Sequence, residues 1–176
     1  MSELDLKFNY LRSDGYPHNS ILLWNDLYFL AAIFGASKEI SKLKEKEDGR
    51  KDFSLFSVFR EFEYSEISRR LLSAAIICRN KIQTEGNEMQ NNRKIGILKY
   101  EKLKNKELNL NQACNKIIHA SNINFDLTNN SNIKSGYLRP IIYLYGKEFS
   151  KKDKMDLEWK ATLKIFPFIK AVFDII

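Results

Sequence analysis

Residues 71–78 read Leu71-Leu72-Ser73-Ala74-Ala75-Ile76-Ile77-Cys78. On a helix the stretch is apolar nearly all round, which is the mark of a helix buried in a bundle. It belongs to a helical region over about 54–83. Leu55, Phe56, Val58, Phe59 and Phe62 come before it, Ser65 is a candidate cap, and Ile67, Leu71, Leu72, Ala75, Ile76, Cys78 and Ile82 carry the spacing on.

Working towards the N-terminus, residues 1–18 read as a lead-in with a turn at Gly15-Tyr16-Pro17. A first helix starts near Asn19 or Ser20 and keeps helical spacing through Leu22, Leu23, Leu27, Leu30, Ala31, Phe34, Ile40 and Leu43. The mixed-sign run Lys44-Glu45-Lys46-Glu47-Asp48 reads as a solvated helix end. Towards the C-terminus, residues 84–107 read as a polar, Asn- and Lys-rich connector, and a third helix follows at about 108–121.

Beyond it the period changes. Ile123–Thr128 alternates apolar and polar, Asn129–Gly136 is turn-rich, Pro140–Gly146 is rich in Ile and Tyr, and Asp156–Leu163 alternates again. Three short strands in a meander follow from that pattern. A last helix spans about Lys164 to Asp174, with Pro167 in its first turn. The expected fold class is therefore mainly α. It is a bundle of four to five helices with a small antiparallel β meander (122–163) before the last helix, all in a single domain over 1–176.

Composition agrees with one globular domain. The chain has 176 residues, 44% of them hydrophobic, enough to build a core without a disulfide or metal. Lys plus Arg exceeds Asp plus Glu by 29 to 22, a formal net charge of +7, which suits an anionic partner without naming one. The N-terminus has no signal-peptide pattern. The apolar runs Leu27–Phe34 and Leu71–Cys78 are shorter than the roughly 20 residues of a membrane span, so no membrane partner is expected. Two cysteines, Cys78 and Cys114, and two histidines without Cys-x-x-Cys spacing point to reduced thiols in the cytoplasm. No metal and no cofactor are expected.

The third helix carries the sharpest signal. Leu110, Ala113, Cys114, Ile117 and Ile118 fall on one side of it at 100° per residue, and Asn111, Asn115, His119 and Asn122 line the other. Three amides and an imidazole suit neutral hydrogen bonding to a phosphate, a ribose or a protein. A histidine also exchanges protons near neutral pH.

The segment Asn115-Lys116-Ile117-Ile118-His119-Ala120 resembles the end of the signature helix of HEPN domains. These are small α-helical bundles of prokaryotic conflict systems, and many are metal-independent ribonucleases. The resemblance implies a motif of Arg, a polar residue and a later His, two copies of which face each other across a homodimer. Asn115 matches the polar position and His119 the His, which makes these two the candidate catalytic residues. The Arg position holds Cys114, which cannot supply a cationic fork to a scissile phosphate. Losing one such donor costs roughly 10²–10³ in rate. The resemblance thus implies a member that binds and does not cleave, unless Arg79 brings a guanidinium to His119 in space.

The connector adds a second candidate binding element. Arg93, Lys94, Lys99, Lys102, Lys104 and Lys106 face one acid, Glu101, over residues 93–106, with Tyr100 among them. Lysines interleaved with an aromatic suit an RNA backbone and a stacked base. Tyr137, Tyr143, Tyr145 and Trp159 are expected to pack the meander onto the helices, any exposed fraction serving as interface anchors.

The functional expectation is a non-catalytic binding protein of a bacterial conflict system, an immunity or antitoxin protein whose partner is a nuclease toxin. Two alternatives are a HEPN-type ribonuclease using His119 and an RNA-binding module.

Overall fold

The computed structural model describes residues 17–46, 55–85, 93–101, 104–130, 133–150 and 155–175. These residues form four helices and five strands. They are α1 (Pro17–Lys46), α2 (Leu55–Glu85), β1 (Gly96–Tyr100), β2 (Lys106–Leu108), α3 (Leu110–Ile118), β3 (Asn122–Asn130), β4 (Ile133–Ser150), β5 (Met155–Lys164) and α4 (Ile165–Phe173).

The expected fold class is corrected here. The chain is neither all-α nor a mainly-α bundle with a small meander; it is an α/β fold on a five-stranded antiparallel sheet ordered β2-β1-β5-β4-β3. The four helices lie where the sequence places them. The difference is in the sheet, which takes two strands from the supposed connector and makes β4 an 18-residue strand.

Long-range pairing builds this sheet. β1 pairs with β5, Leu98 opposite Ala161 and Tyr100 opposite Trp159, some sixty residues away in sequence. A five-residue strand surrounded by lysines gains its stability from that partner and from burial of Leu98, neither of which a local pattern reports. β4 hides for another reason. Between its pairs Leu138–Leu127 and Ile142–Phe125, three residues of β4 oppose one of β3. Pro140 sits in that bulge, beyond the last β5 pair at Ile141–Lys164. A proline there removes no ladder bond, so it does not stop the strand.

All four helices contribute to one core on one face of the sheet. The inward side chains of the strands include Leu98, Leu108, Ile142, Leu144, Trp159, Ala161 and Leu163. They meet Leu23, Leu27, Leu30 and Phe34 of α1, Ile67, Leu71 and Ala75 of α2, and Phe168 and Val172 of α4. Two polar contacts pin the helices to the start of β4, which pairs with β3 but not with β5. The Leu138 N–H donates to Ser37 Oγ at 2.9 Å, and Arg60 Nη2 donates to the Gly136 carbonyl. Each ties off a backbone group in the part of β4 that β5 does not reach, where an orphan would cost about 1–3 kcal/mol.

α1 and α2 are held side by side by a partly buried network. Arg70 donates to Asp26 Oδ1 at 3.1 Å and to Glu66 Oε2 at 2.9 Å, and its guanidinium lies 4.0 Å from the Phe29 ring centre. By length and composition the stretch Ser20–Lys42 of α1 is apolar enough to cross a membrane, although each apolar run read from the sequence is short. Its inner stripe nevertheless belongs to the core.

Candidate functional site

α3 is a crossover. β2 and β3 occupy opposite edges of the sheet, and α3 joins them. Its start is fixed locally. Asn109 Oδ1 accepts from the Gln112 N–H at 2.9 Å, and the Asn109 N–H donates to Gln112 Oε1 at 3.2 Å, a reciprocal capping box. Leu110, Ala113, Cys114 and Ile117 are buried, as their spacing predicts, and Lys116 is buried with them.

The polar stripe is only partly assembled. Asn111 and Asn115 are half-buried and His119 is exposed at the C-cap, its N–H donating to the Asn115 carbonyl. Asn122 does not continue the stripe, because α3 ends at Ile118 and Asn122 opens β3 opposite Tyr145. Among the described residues no side chain hydrogen-bonds the His119 ring.

Cys114 takes up the opposite side. Its thiol meets that of Cys78 from α2, and this hydrogen bond together with burial raises the Cys114 pKa. Arg79 approaches from the same side, close enough to act on the Cys114 thiol electrostatically. Its Nε is buried and has no hydrogen-bond partner among the described residues. Cys114 and His119 stand about 140° apart around the helix, so Arg79 is not directed to the imidazole by this packing.

The basic segment is divided between the two faces of the sheet. Lys99 points away from the helices, whereas Tyr100 points inward, because successive residues of a strand alternate. Lys104 is exposed, and Lys102 lies outside the described residues, as does the lead-in through residue 16. Arg93 is paired with Asp174 and Lys94 with Glu107. Both line a groove of about 510 Å³ with Ile95, Phe166, Pro167 and Lys170.

Tyr100 joins an inner polar cluster instead of a basic patch. Lys116 Nζ donates to Glu148 Oε2 and lies 4.4 Å from the Trp159 ring centre and 5.5 Å from that of Tyr100. Burial and the hydrogen bond to Glu148 push the Tyr100 hydroxyl pKa up. Burial works to raise Glu148 as well, but hydrogen bonds from Lys116 and Tyr100 outweigh it and leave the carboxylate below its ordinary value. All four side chains satisfy one another, so the cluster ties α3 to the sheet.

Two further surfaces stand out, and of their residues the sequence singles out only Tyr143 and Tyr145, expected to pack on the helices but placed on the other face of the sheet. The first is the outer side of α1 and α2. Ile21, Tyr28 and Phe29 of α1 and Phe62, Leu72 and Ile76 of α2 are exposed, Tyr28 at 70% and Phe62 at 63%. Leu72 and Ile76 come from the stretch taken as buried all round. Its apolarity is real, but only one side of it is packed. The second is the sheet face away from the helices, where Tyr143 and Tyr145 stand beside Lys160. Among the described residues no cluster of three His, Cys, Asp or Glu side chains is placed to hold a metal.

Comparison with protein-family models, curated proteins and solved structures finds no match. The architecture itself defines the class: a two-layer α/β domain with every described helix on one side of an antiparallel sheet.

Proposed function

We infer that this chain is a binding protein that acts without chemistry, docking a protein partner on the outer side of α1 and α2. The observation that carries this is the exposed apolar surface there. Tyr28, Phe29, Phe62, Leu72 and Ile76 project away from the core on two helices that Arg70 and Asp26 hold in register. Large apolar side chains left exposed in number on one pair of helices suit an interaction site, and aromatic side chains dominate interface hot spots. The lone His119 and the thiol at position 114 support a role without catalysis.

The immunity or antitoxin role is the particular form of this reading. It draws on the short resemblance at Asn115–Ala120, whose implied α-bundle this chain does not share, and on the Asn/Lys-rich composition, with 16 Asn. With a net charge of +7, the partner is an acidic protein or is gripped away from a basic active site.

The test is co-expression with the product of the neighbouring gene. That product is expected to co-purify, and its toxicity is expected to fall. Tyr28→Ser combined with Phe62→Ser should abolish both effects while leaving the melting temperature nearly unchanged. Co-purification that survives the double substitution overturns the docking surface, and a neighbour that neither binds nor harms the cell overturns the immunity role.

A further inference from the structure

The sheet has a second face, and no described helix covers it. The register sets its side chains in rows. Lys99 on β1 stands opposite Lys160 on β5, Lys160 opposite Tyr145 on β4, and Tyr145 opposite Asn122 on β3. The adjacent row runs Ile97, Thr162, Tyr143 and Asn124 across the same four strands. Lys164 follows, opposite Ile141.

The charges of this face do not cancel. Arg139 is paired with Asp126, Lys147 with Glu158, and Glu107 with Lys94. Glu101 and Asp156 lie beyond the rows, towards the end where β4 and β5 join. Lys99, Lys160 and Lys164 have no ion pair among the described residues. Lys99 and Lys160 are moreover direct cross-strand neighbours, and like charges in that position repel. Lys160 Nζ lies 4.5 Å from the Tyr143 ring centre and 5.3 Å from that of Tyr145. An anion brought to this row relieves the repulsion, and two aromatic rings flank the place where it arrives.

We propose that this face binds single-stranded RNA, with Tyr143 and Tyr145 stacking successive bases and Lys99, Lys160 and Lys164 holding the phosphates. The spacing selects a single strand. Two residues apart on β4, the Cα atoms that carry the rings are spaced about 6.8 Å along the strand, roughly twice the 3.4 Å rise of stacked bases. Neighbouring bases must therefore be splayed apart, which a duplex forbids. The polar groups select RNA. Asn122, Asn124 and Thr162 place amides and a hydroxyl beside the rings, within the same rows, where base edges and 2′-hydroxyls of an unstacked strand are read. The face lies on the opposite side of the domain from the protein-docking surface, so this is a function in addition to that one.

The experiment is fluorescence anisotropy with a labelled 12-nucleotide RNA of mixed sequence, titrated at several salt concentrations. Matched DNA and duplex RNA serve as comparison arms. RNA is expected to bind, with log K falling against log salt at a slope of about −2 for three phosphates. The pair Lys99→Gln and Lys160→Gln should cut that slope to about −0.7. Tyr143→Leu and Tyr145→Leu should each weaken binding about 5- to 150-fold, with circular dichroism confirming the fold. Lys42→Gln, on α1, should leave RNA binding unchanged. Undetectable binding at low salt overturns the proposal, and so does indifference to the lysine pair, of which Lys99 is exposed and Lys160 half-buried, with circular dichroism confirming that the variant keeps the fold. Equal affinity for the DNA or the duplex overturns the assignment to single-stranded RNA.

Discussion

Trp159 lies directly across the ladder from Gly146, and its indole fills the space that a side chain on Gly146 would need. A Cβ built on Gly146 comes within 2.3 Å of the Trp159 ring. The glycine lets the indole lie flat on the inner face of the sheet, within reach of Lys116 Nζ. Gly146→Ala is therefore expected to lower stability by about 1–3 kcal/mol through overpacking. In Trp159→Leu the added methyl meets a smaller neighbour, so the double variant should cost less than the two single changes together. Urea unfolding of the four proteins measures this coupling, and strict additivity would contradict the geometry.

Lys116 is the only buried lysine among the described residues, and its ammonium is satisfied by Glu148 and two aromatic rings. Lys116→Ala leaves the Glu148 carboxylate without its donor and opens space beside Trp159. The expected cost is about 1–3 kcal/mol, read as a shift of the urea midpoint. Lys116→Met keeps the packing and should recover part of it.

Acid should act on the same pair. The folded-state pKa of Glu148 lies below the ordinary 4.5, so the unfolded chain takes up the proton first. The stability that Glu148 lends is complete above about 4.5 and is lost as the pH falls through its lower folded value. Glu66, lowered by its hydrogen bond from Arg69, acts in the same direction; Glu63, raised by burial, opposes them. Glu148→Gln is expected to flatten the decline in urea midpoint between pH 5 and pH 3. An unchanged profile would remove Glu148 as a source of acid sensitivity.

Arg70 joins α1 to α2 through Asp26, which is 6% exposed. Arg70→Met strands that carboxylate inside the helix pair. Breaking a buried pair from one side costs roughly 3–5 kcal/mol. The companion variant Asp26→Asn with Arg70→Met, which removes both charges, should be distinctly more stable than Arg70→Met alone. Thermal melts of the two separate the cost of the stranded charge from that of lost packing.

His119 provides a test of chemistry. The purified protein is expected to leave total tRNA intact, and His119→Ala to leave partner and RNA binding unchanged. Cleavage that vanishes in His119→Ala would return the chain to the ribonuclease reading.

The helices were legible because each carries its own 3.6-residue signal. Leu23, Leu27, Leu30 and Phe34 state the inner side of α1 without help from any other element. The sheet was legible only where alternation is local, as in Asp156–Leu163. Gly96–Tyr100 has two apolar residues side by side and lysines around it. Its strand character comes from β5, which the local pattern cannot display. Pro140 and Gly136 disguised β4 in the same way, since a bulge and a stretch paired only with β3 tolerate residues that otherwise punctuate turns. The site fared likewise. The buried side of α3 follows from its spacing, but Tyr100 was grouped with Lys99 although adjacent strand residues face opposite ways. The aromatics that do share a face with Lys99 come from β4, more than forty residues on.

The one-sided stacking of helices has a consequence for how this chain tolerates change. Its two outward surfaces have no residue in common, and the core between them belongs to neither. Substitutions that retune Tyr28 or Phe62 leave Lys99, Tyr143 and Tyr145 untouched, and the reverse holds as well. A lineage can therefore change the helical side while keeping the sheet side intact, so the two surfaces are free to diverge at independent rates.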